Sequence, residues 1–417
     1  MSKKLNLENS FKLYEEALDL IPGAILGIRR PYNFVEGEYP IFFENAKGGK
    51  VIDVDGNEYI DMLCAYGPII IGHREQEIDN EVIKQIQEKG FCMSLTQPVQ
   101  NQLGKKLRDL IPCCEKMVFM KMGSDATTAA IRVARAYTKH KKILHCGYHG
   151  WHDWSSEVHG AEAGIPEKLY EDIYEFEFNN LDQVENLIKK HKDDLAGIIL
   201  TPINTPGGRE VEMPAEGYLE RLRELCTDNG ILLMYDEIRT GFRVDLGGAQ
   251  KMFDVIPDLA AFGKAMGNGY PISTLVGKAE YMDVLKEKVF LSSTFFPNSL
   301  SQIASLKTIE ILERDNVLIN IEKKGEKFAS KVNDFIEDTK VPVEFTGEPW
   351  MPYITFKRDP NKKYKELREE FYTQLIRRKV FLQPYHHGYI CYRHSEEDLD
   401  HAANMVGEAL KETKKLL

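Results

Sequence analysis

The chain has 417 residues, two or three domains' worth at roughly 150 residues each. With 43% apolar and 10% aromatic residues it can bury a large core, which excludes a disordered or fibrous chain. Its 54 Lys+Arg stand against 65 Asp+Glu for a net charge of −11, so the basic excess of a nucleic-acid binder is missing.

The opening segment MSKKLNLENSFKLYEEALDLIPG has neither an apolar signal core nor a small-residue cleavage site. Phe11, Tyr14, Leu18 and Ile21 recur at helical spacing and predict an amphipathic helix that Pro22-Gly23 ends. Residues 41–62 alternate apolar and polar around Gly48-Gly49 and Asp55-Gly56, the pattern of a hairpin or small meander.

From about residue 76 short apolar runs alternate with helical segments: MVFM (117–120), KILHC (142–146), AGIIL (196–200), a helix over 215–229 stopped by Gly230, then ILLMYDE (231–237). Continuous apolar strands between helices describe an α/β unit whose parallel sheet is covered on both faces. None of these runs is long enough to span a bilayer. Near residue 315 charge density rises, and helices over 318–338 and 361–378 alternate with short strands such as VFLQPY. The expected organisation is an N-terminal segment over 1–75, a large domain over 76–314, and a small α+β domain over 315–417 joined by the N-terminal segment.

Seven cysteines (64, 92, 113, 114, 146, 226, 391) include no CxxC pair, which points to reduced thiols and a cytoplasmic location rather than to zinc. Cys113-Cys114 reads as two ordinary thiols at a loop. His149 and His152 of HGWHDW are spaced like ligands on one helical face, but no third ligand accompanies them at a familiar spacing, and no metal is expected.

Three stretches carry chemistry. In KMGSDATTAAIRVARAY (121–137) a strand ends, Gly123 allows a tight turn, and Ser124 stands where an N-cap would open a helix whose free amides suit a phosphate. Asp236-Glu237 closes ILLMY at the edge of the sheet that faces the usual ligand crevice, although one of the two acids could simply cap the next turn. Lys264 lies in an apolar, glycine-rich stretch with Gly263, Gly267 and Gly269; desolvation there would lower its pKa and make the amine a nucleophile. An amine, a carboxylate and an anion site are what pyridoxal phosphate needs, and the 28 residues from Asp236 to Lys264 suffice for a crossover to a neighbouring strand.

With LYEEALDLIPG, VIDVDGNEYIDM, GPIIIGH, GSDATTAAIRVARAYT, GYHGWHDW, GKAMGNGYPIS and STFFPNSLS in order, nearly the whole chain resembles the class III pyridoxal-phosphate aminotransferases of fold type I. Glutamate-1-semialdehyde aminomutase and its relatives are the nearest subgroup in this resemblance. It implies a large cofactor domain with a mostly parallel sheet, a small domain from both chain ends, and a homodimer with shared active sites. It further implies that Lys264 carries the cofactor as a Schiff base and then moves the proton, and that Asp236 pairs with the ring nitrogen. Ile238 and Tyr148 should flank the ring, Gly123 and Ser124 should hold the phosphate, and Thr294 should reach the phosphate of the neighbouring subunit. Arg30 falls at the carboxylate-binding arginine, Tyr66 at the family's tryptophan, and His386 at the glutamate of the aminomutases.

The departures shape the expected substrate. His386 replaces that glutamate, Thr201 of ILTPINTPGG replaces an acid after a strand, and Lys121-Met122 precede Gly123 where NSG is usual. A lost acid and a gained His386-His387 pair predict ping-pong transfer of an amino group from an amino acid, with glutamate the expected donor, to the carbonyl of a small polar acceptor of sugar-acid type. The alternative is the 2,1-aminomutase reaction. A G-x-G-x-x-G dinucleotide turn is absent from both MGSDATT and GKAMGNG.

Overall fold

The computed structural model describes residues 2–155, 163–206 and 210–417. The chain divides into two compact units. One takes the residues up to Glu75, a short piece ending at Val211, and Asp315–Leu417; the other takes Gln76–Pro206 and Glu212–Arg314. Among the described residues no helix is long and apolar enough to cross a membrane.

In the unit built from both chain ends, the helix Glu8–Leu20 is capped from outside its own sequence: the Asp55 carboxylate accepts the amides of Asn9 (2.8 Å) and Ser10 (2.9 Å). The face it buries differs from the predicted stripe. Ser10 and Ala17 are buried, whereas Leu18 and Ile21 stay 41% and 44% exposed. The reason is a polar anchor, because Ser10 Oγ accepts the amides of Ile41 (2.8 Å) and Phe42 (3.2 Å) and fixes which side turns inward.

The meander forms as β1 (Phe43–Lys47), β2 (Lys50–Asp53) and β3 (Glu58–Asp61), antiparallel in sequence, with Val380–Phe381 added parallel on the far edge of β3. The strand expected over VFLQPY is therefore only its first two residues, because β3 ends at Asp61 and offers no further partner. Phe381 packs at ring-centroid distances of 5.0–6.3 Å against Phe43, Tyr39, Phe34 and Tyr59, so this short C-terminal strand carries the aromatic centre of the N-terminal sheet. The helices expected over 318–338 and 361–378 are Val317–Thr339 and Lys363–Arg377.

The second unit holds β4 (Lys116–Met120), β5 (Lys142–Cys146), β6 (Ile173–Glu175), β7 (Leu195–Leu200), β8 (Leu232–Asp236), β9 (Leu259–Phe262) and β10 (Ser273–Gly277). They form one sheet in the order β4-β10-β9-β8-β7-β5-β6. β10 runs antiparallel to both β4 and β9, and every other pairing is parallel. All residues of β7, β8, β9 and β10 are buried, as a sheet covered on both faces requires. The helix Gly123–Thr138 sends Ala126, Ala129, Ala130, Ile131, Val133 and Ala134 inward, and these small residues let it lie close to Met234, Leu259 and Leu275. The helix expected over 215–229 starts at Tyr218, because Gly217 before it takes φ 74°.

Gly325 in the helix Val317–Thr339 shows how tight the first unit is: a Cβ there would lie 2.7 Å from the Trp350 amide nitrogen and 2.8 Å from the Pro349 carbonyl carbon. Ala would gain about 1 kcal/mol of helix propensity but meet backbone that cannot yield, an overpacking cost of about 1–3 kcal/mol or more. Gly325→Ala is thus expected to lower unfolding free energy by about 2 kcal/mol in urea titration; a stabilised variant would show that this backbone gives way.

Candidate active site

β8 and β9 are parallel neighbours, with Asp236 opposite Ala261, so Asp236 and the residue train Gly263-Lys264 leave the sheet at the same edge. β5 ends at that edge too and delivers Gly147, Tyr148 and His149. Strand polarity alone gathers these groups, which are far apart in sequence.

Asp236 is 5% exposed, and its carboxylate is held at both oxygens: Oδ2 lies 2.9 Å from His149 Nδ1, and Oδ1 accepts the Ile238 amide at 3.1 Å. A carboxylate only accepts, so the shared proton sits on Nδ1. His149 is itself buried; the Trp154 ring stacks on it at 6.0 Å and 11°, and Trp154 Nε1 donates to Thr128 Oγ1 at 2.8 Å. Burial and the adjacent His149 pull His145 down to about 4, so this second imidazole stays neutral beside the first.

Lys264 follows β9 with φ 45°. Burial, reinforced by the charges of Arg239 and Arg243, holds its amine well below the ordinary lysine range, against the opposing pull of Asp236. Arg239 is anchored on the Thr205 carbonyl (3.1 Å) and hydroxyl. Ile238 is confined by two glycines: a Cβ on either Gly123 or Gly263 would come within 3.1 Å of its side chain. The phenol of Tyr148 is 42% exposed, and partial burial raises its pKa.

The helix behind the phosphate turn starts at Gly123 with Met122 as its N-cap, so Ser124 lies inside the first turn rather than at the cap expected from the sequence. Asp125 closes this end, its carboxylate accepting the Met122 amide at 3.0 Å. The amides of Gly123 and Ser124 stand in the first turn, where helices leave donors without intrahelical acceptors. Ser124 Oγ accepts the Trp151 amide at 3.3 Å, and Gly150 (φ 116°) must lack a Cβ because one would sit 2.3 Å from that oxygen. Thr294 is exposed. A buried amine held below its ordinary range, a fixed carboxylate and a helix start that presents first-turn amides are the donor set that a phosphorylated pyridine aldehyde requires, so these residues fit pyridoxal phosphate.

The other acid of the pair is the cap that the sequence left open. Glu237 is fully buried and accepts the amides of Ala249 (2.8 Å) and Gln250 (2.9 Å) as well as the Thr240 hydroxyl. His149, whose spacing from His152 suggests a metal ligand, is the partner of Asp236. His152 instead bonds Thr128 Oγ1 through Nδ1 at 2.8 Å. The available signal was positional: a histidine just past the end of β5 shares an edge with the acid ending β8.

The remaining predicted residues belong to the first unit. Tyr66 is buried with its ring 5.1 Å from His386, edge to face, and the Arg29 guanidinium lies 5.0 Å over Tyr66. Arg30 turns elsewhere, donating to the Ile25 carbonyl (3.3 Å) and the Tyr32 hydroxyl (3.4 Å), so of the two adjacent arginines it is Arg29 that meets Tyr66. Arg29 and Tyr66 border a cavity of about 340 Å³ with largely apolar walls that include Phe34, Tyr39 and Leu63. Thr201 is buried just past β7; the Gly207-Gly208 end of its stretch lies outside the described residues.

The sequence model described as aminotransferase class-III matches residues 32–395. A 3-aminobutyryl-CoA aminotransferase of Cloacimonas acidaminovorans (strain Evry) is 63% identical over 417 residues, covering both chains entirely. A glutamate-1-semialdehyde 2,1-aminomutase of Methanosphaera stadtmanae is 35% identical, covering 97% of this chain and 99% of its own. Among solved structures, the PLP-bound FumI protein of Sphingopyxis sp. MTA144 superposes with TM-score 0.90 at 26% identity, over 96% of this chain and 95% of its own.

Two measurements probe the site. Burial pushes the Glu237 carboxyl up to about 7 from an ordinary 4.5. The folded chain then keeps a proton that the unfolded chain releases near 4.5, so stability gained below that value is lost as pH rises through 7. Between roughly pH 6 and 8 wild-type unfolding free energy should fall by about 1 kcal/mol more than that of Glu237→Gln; equal slopes would place the ionised form in the fold. His149→Phe keeps a ring against Trp154 but strips Asp236 Oδ2 of its donor. Losing a charge-assisted bond of about 1.5–3 kcal/mol should cut kcat by roughly one to two powers of ten, and an unchanged kcat would make His149 mere packing.

Proposed function

Because the chain belongs to the class III aminotransferases of fold type I, enzymes that work with pyridoxal 5'-phosphate on small-molecule amino donors and carbonyl acceptors, we propose that it moves the 3-amino group of a 3-aminoacyl-CoA thioester, 3-aminobutyryl-CoA in the first place, onto a 2-oxo acid. The observation that carries this reading is the 63% identity, end to end, to a protein named for that substrate. The reaction is reversible in principle, so glutamate remains the amino donor when the enzyme runs towards the thioester. The acceptor becomes a 3-oxoacyl thioester in place of the sugar-type acid that the sequence departures favoured. Two half-reactions on one cofactor give ping-pong kinetics.

When bound, the cofactor supplies an aldehyde that takes up the amino group and a ring that accepts electrons from the carbon bearing it. The chain's own residues divide the remaining work. Lys264, its basicity lowered by burial, takes and returns a proton at Nζ. Asp236, fixed by His149 and the Ile238 amide, sets a negative charge against a protonated ring nitrogen. Gly123 and Ser124 would offer amides to the phosphate, and Ile238 and Tyr148 would pack on the ring. Thr294, which is exposed, would serve the phosphate of a second subunit in a homodimer. Tyr66 and His386 are the substrate-side residues in this reading, with Arg29 beside Tyr66 in the place the resemblance gave to Arg30. A thioester has no free carboxylate, so this arginine acts on the amino acid and oxo acid while uncharged walls serve the acyl chain. Thr201 and His386 standing in place of acids agree with this, since neither needs a positive partner on the substrate.

The absorbance of the holoenzyme tests the proposal. Glutamate alone and 3-aminobutyryl-CoA alone should each discharge the visible band, and 2-oxoglutarate should restore it. Full response to glutamate with none to the thioester would overturn the substrate, and recovery by a keto sugar acid but not by the 3-oxoacyl thioester would return the acceptor to the sugar class. The aminomutase reading, motivated by 35% identity to such an enzyme, requires turnover of the semialdehyde without any added donor.

A further inference from the structure

We propose that Cys64, Cys391 and His394 form a buried site for a zinc ion that ties the two chain ends of the first unit together. Their ligand atoms lie within 4.8 Å of one another, and all three residues are buried, at 1%, 0% and 0% exposure. The sequence carries no zinc spacing because only Cys391 and His394 are neighbours; the fold supplies Cys64 from beyond the end of β3.

The site is built before any ion arrives. The Cys64 amide donates to Asp61 Oδ1 at 3.0 Å, and Asp61 is tied at its other oxygen to His73 Nε2 at 2.8 Å. Cys64, Ala65 and Tyr66 take φ 46°, 53° and 69° in succession, a left-handed run that non-glycine residues seldom adopt and that the surrounding packing must impose. On the other side Lys324 Nζ donates to the carbonyls of Tyr392 (2.7 Å) and His394 (2.8 Å), fixing the Cys391–His394 turn. Gly49 locks the imidazole, since a Cβ there would fall 2.2 Å from His394 Cδ2.

Among the described residues the side-chain hydrogen bonds of His394 run to Cys391 of the same turn. Its Nδ1 accepts the Cys391 amide at 3.0 Å, so that nitrogen carries the lone pair a metal would take, while Nε2 keeps the ring proton and has no hydrogen-bond partner among the described residues. Two thiols and an imidazole are the donors that zinc prefers. On binding, each thiol loses its proton to solvent, the Cys391 amide releases His394 Nδ1, two Zn–S bonds and one Zn–Nδ1 bond form, and two thiolate charges cancel the dication, so no net charge is buried. Cys64 Sγ now donates to the Asp61 carbonyl at 3.2 Å, a bond that its deprotonation gives up.

The holoenzyme, prepared with zinc under reducing conditions and gel-filtered into metal-free buffer, is assayed for metal by mass spectrometry. About one zinc per chain is expected, falling at least tenfold in both Cys64→Ser and Cys391→Ser. Cadmium added to chelator-treated wild type should raise an ultraviolet thiolate-to-metal band, which decides the matter alone where a serine variant does not fold. Wild type holding under about a tenth of an equivalent, zinc undiminished in the variants, or a Cys64–Cys391 disulfide formed in the presence of zinc would each overturn the site. None of these readouts uses turnover, so they stand or fall apart from the substrate assignment.

Discussion

A carboxylate buried at the end of a parallel strand is the constraint around which the catalytic unit is arranged. Desolvating Asp236 is costly unless donors meet it, and β8 alone supplies only the Ile238 amide. The second donor comes from the segment after β5, two strands away across β7. His149 in turn needs a wall, which Trp154 supplies through its own bond to Thr128 on the phosphate-turn helix. The residues that compensate one charge thus tie two strand ends and a helix into the frame from which Lys264 projects.

Glycine positions follow from the same crowding. Gly123 and Gly263 close on Ile238 from two elements, and Gly150 closes on Ser124. Each marks a place where backbone must approach what lies at the sheet edge. The rich glycine content of the sequence therefore reports close packing around one residue cluster as much as it reports loops.

Much of this frame could be read from the sequence, for a physical reason. Apolar runs such as ILLMY and AGIIL have to be strands buried on both faces, and the acid or lysine that follows such a run emerges at the carboxyl edge. Asp236 and Lys264 could be read as one site because strand polarity leaves little choice. The helix start at Gly123 slipped by a residue or two since capping there is done by Asp125 reaching back, not by Ser124. The inward face of the first helix was misjudged for a related reason: a single hydroxyl, Ser10 Oγ, outweighs the apolar stripe by satisfying two loop amides. His149 and the meeting of Cys64 with Cys391 were illegible because both depend on which strand lies next to which, information that local patterns do not hold.

The two acids at 236 and 237 show how one dipeptide serves two ends. Alternation along a strand sends adjacent side chains to opposite faces, so only one of them can reach the crevice. Asp236 takes that side. Glu237 is left facing the covered interior, where a carboxylate survives only by gathering amides, and it does so at Ala249 and Gln250 with Gly248 cleared of a side chain to let it in. The cap then fixes the loop from Ile238 to Gly248 that carries Arg239 and Arg243, the two cations that help lower the basicity of Lys264. What reads in the sequence as a redundant pair is a division of labour: one acid faces the chemistry, and its neighbour holds the loop that tunes the amine.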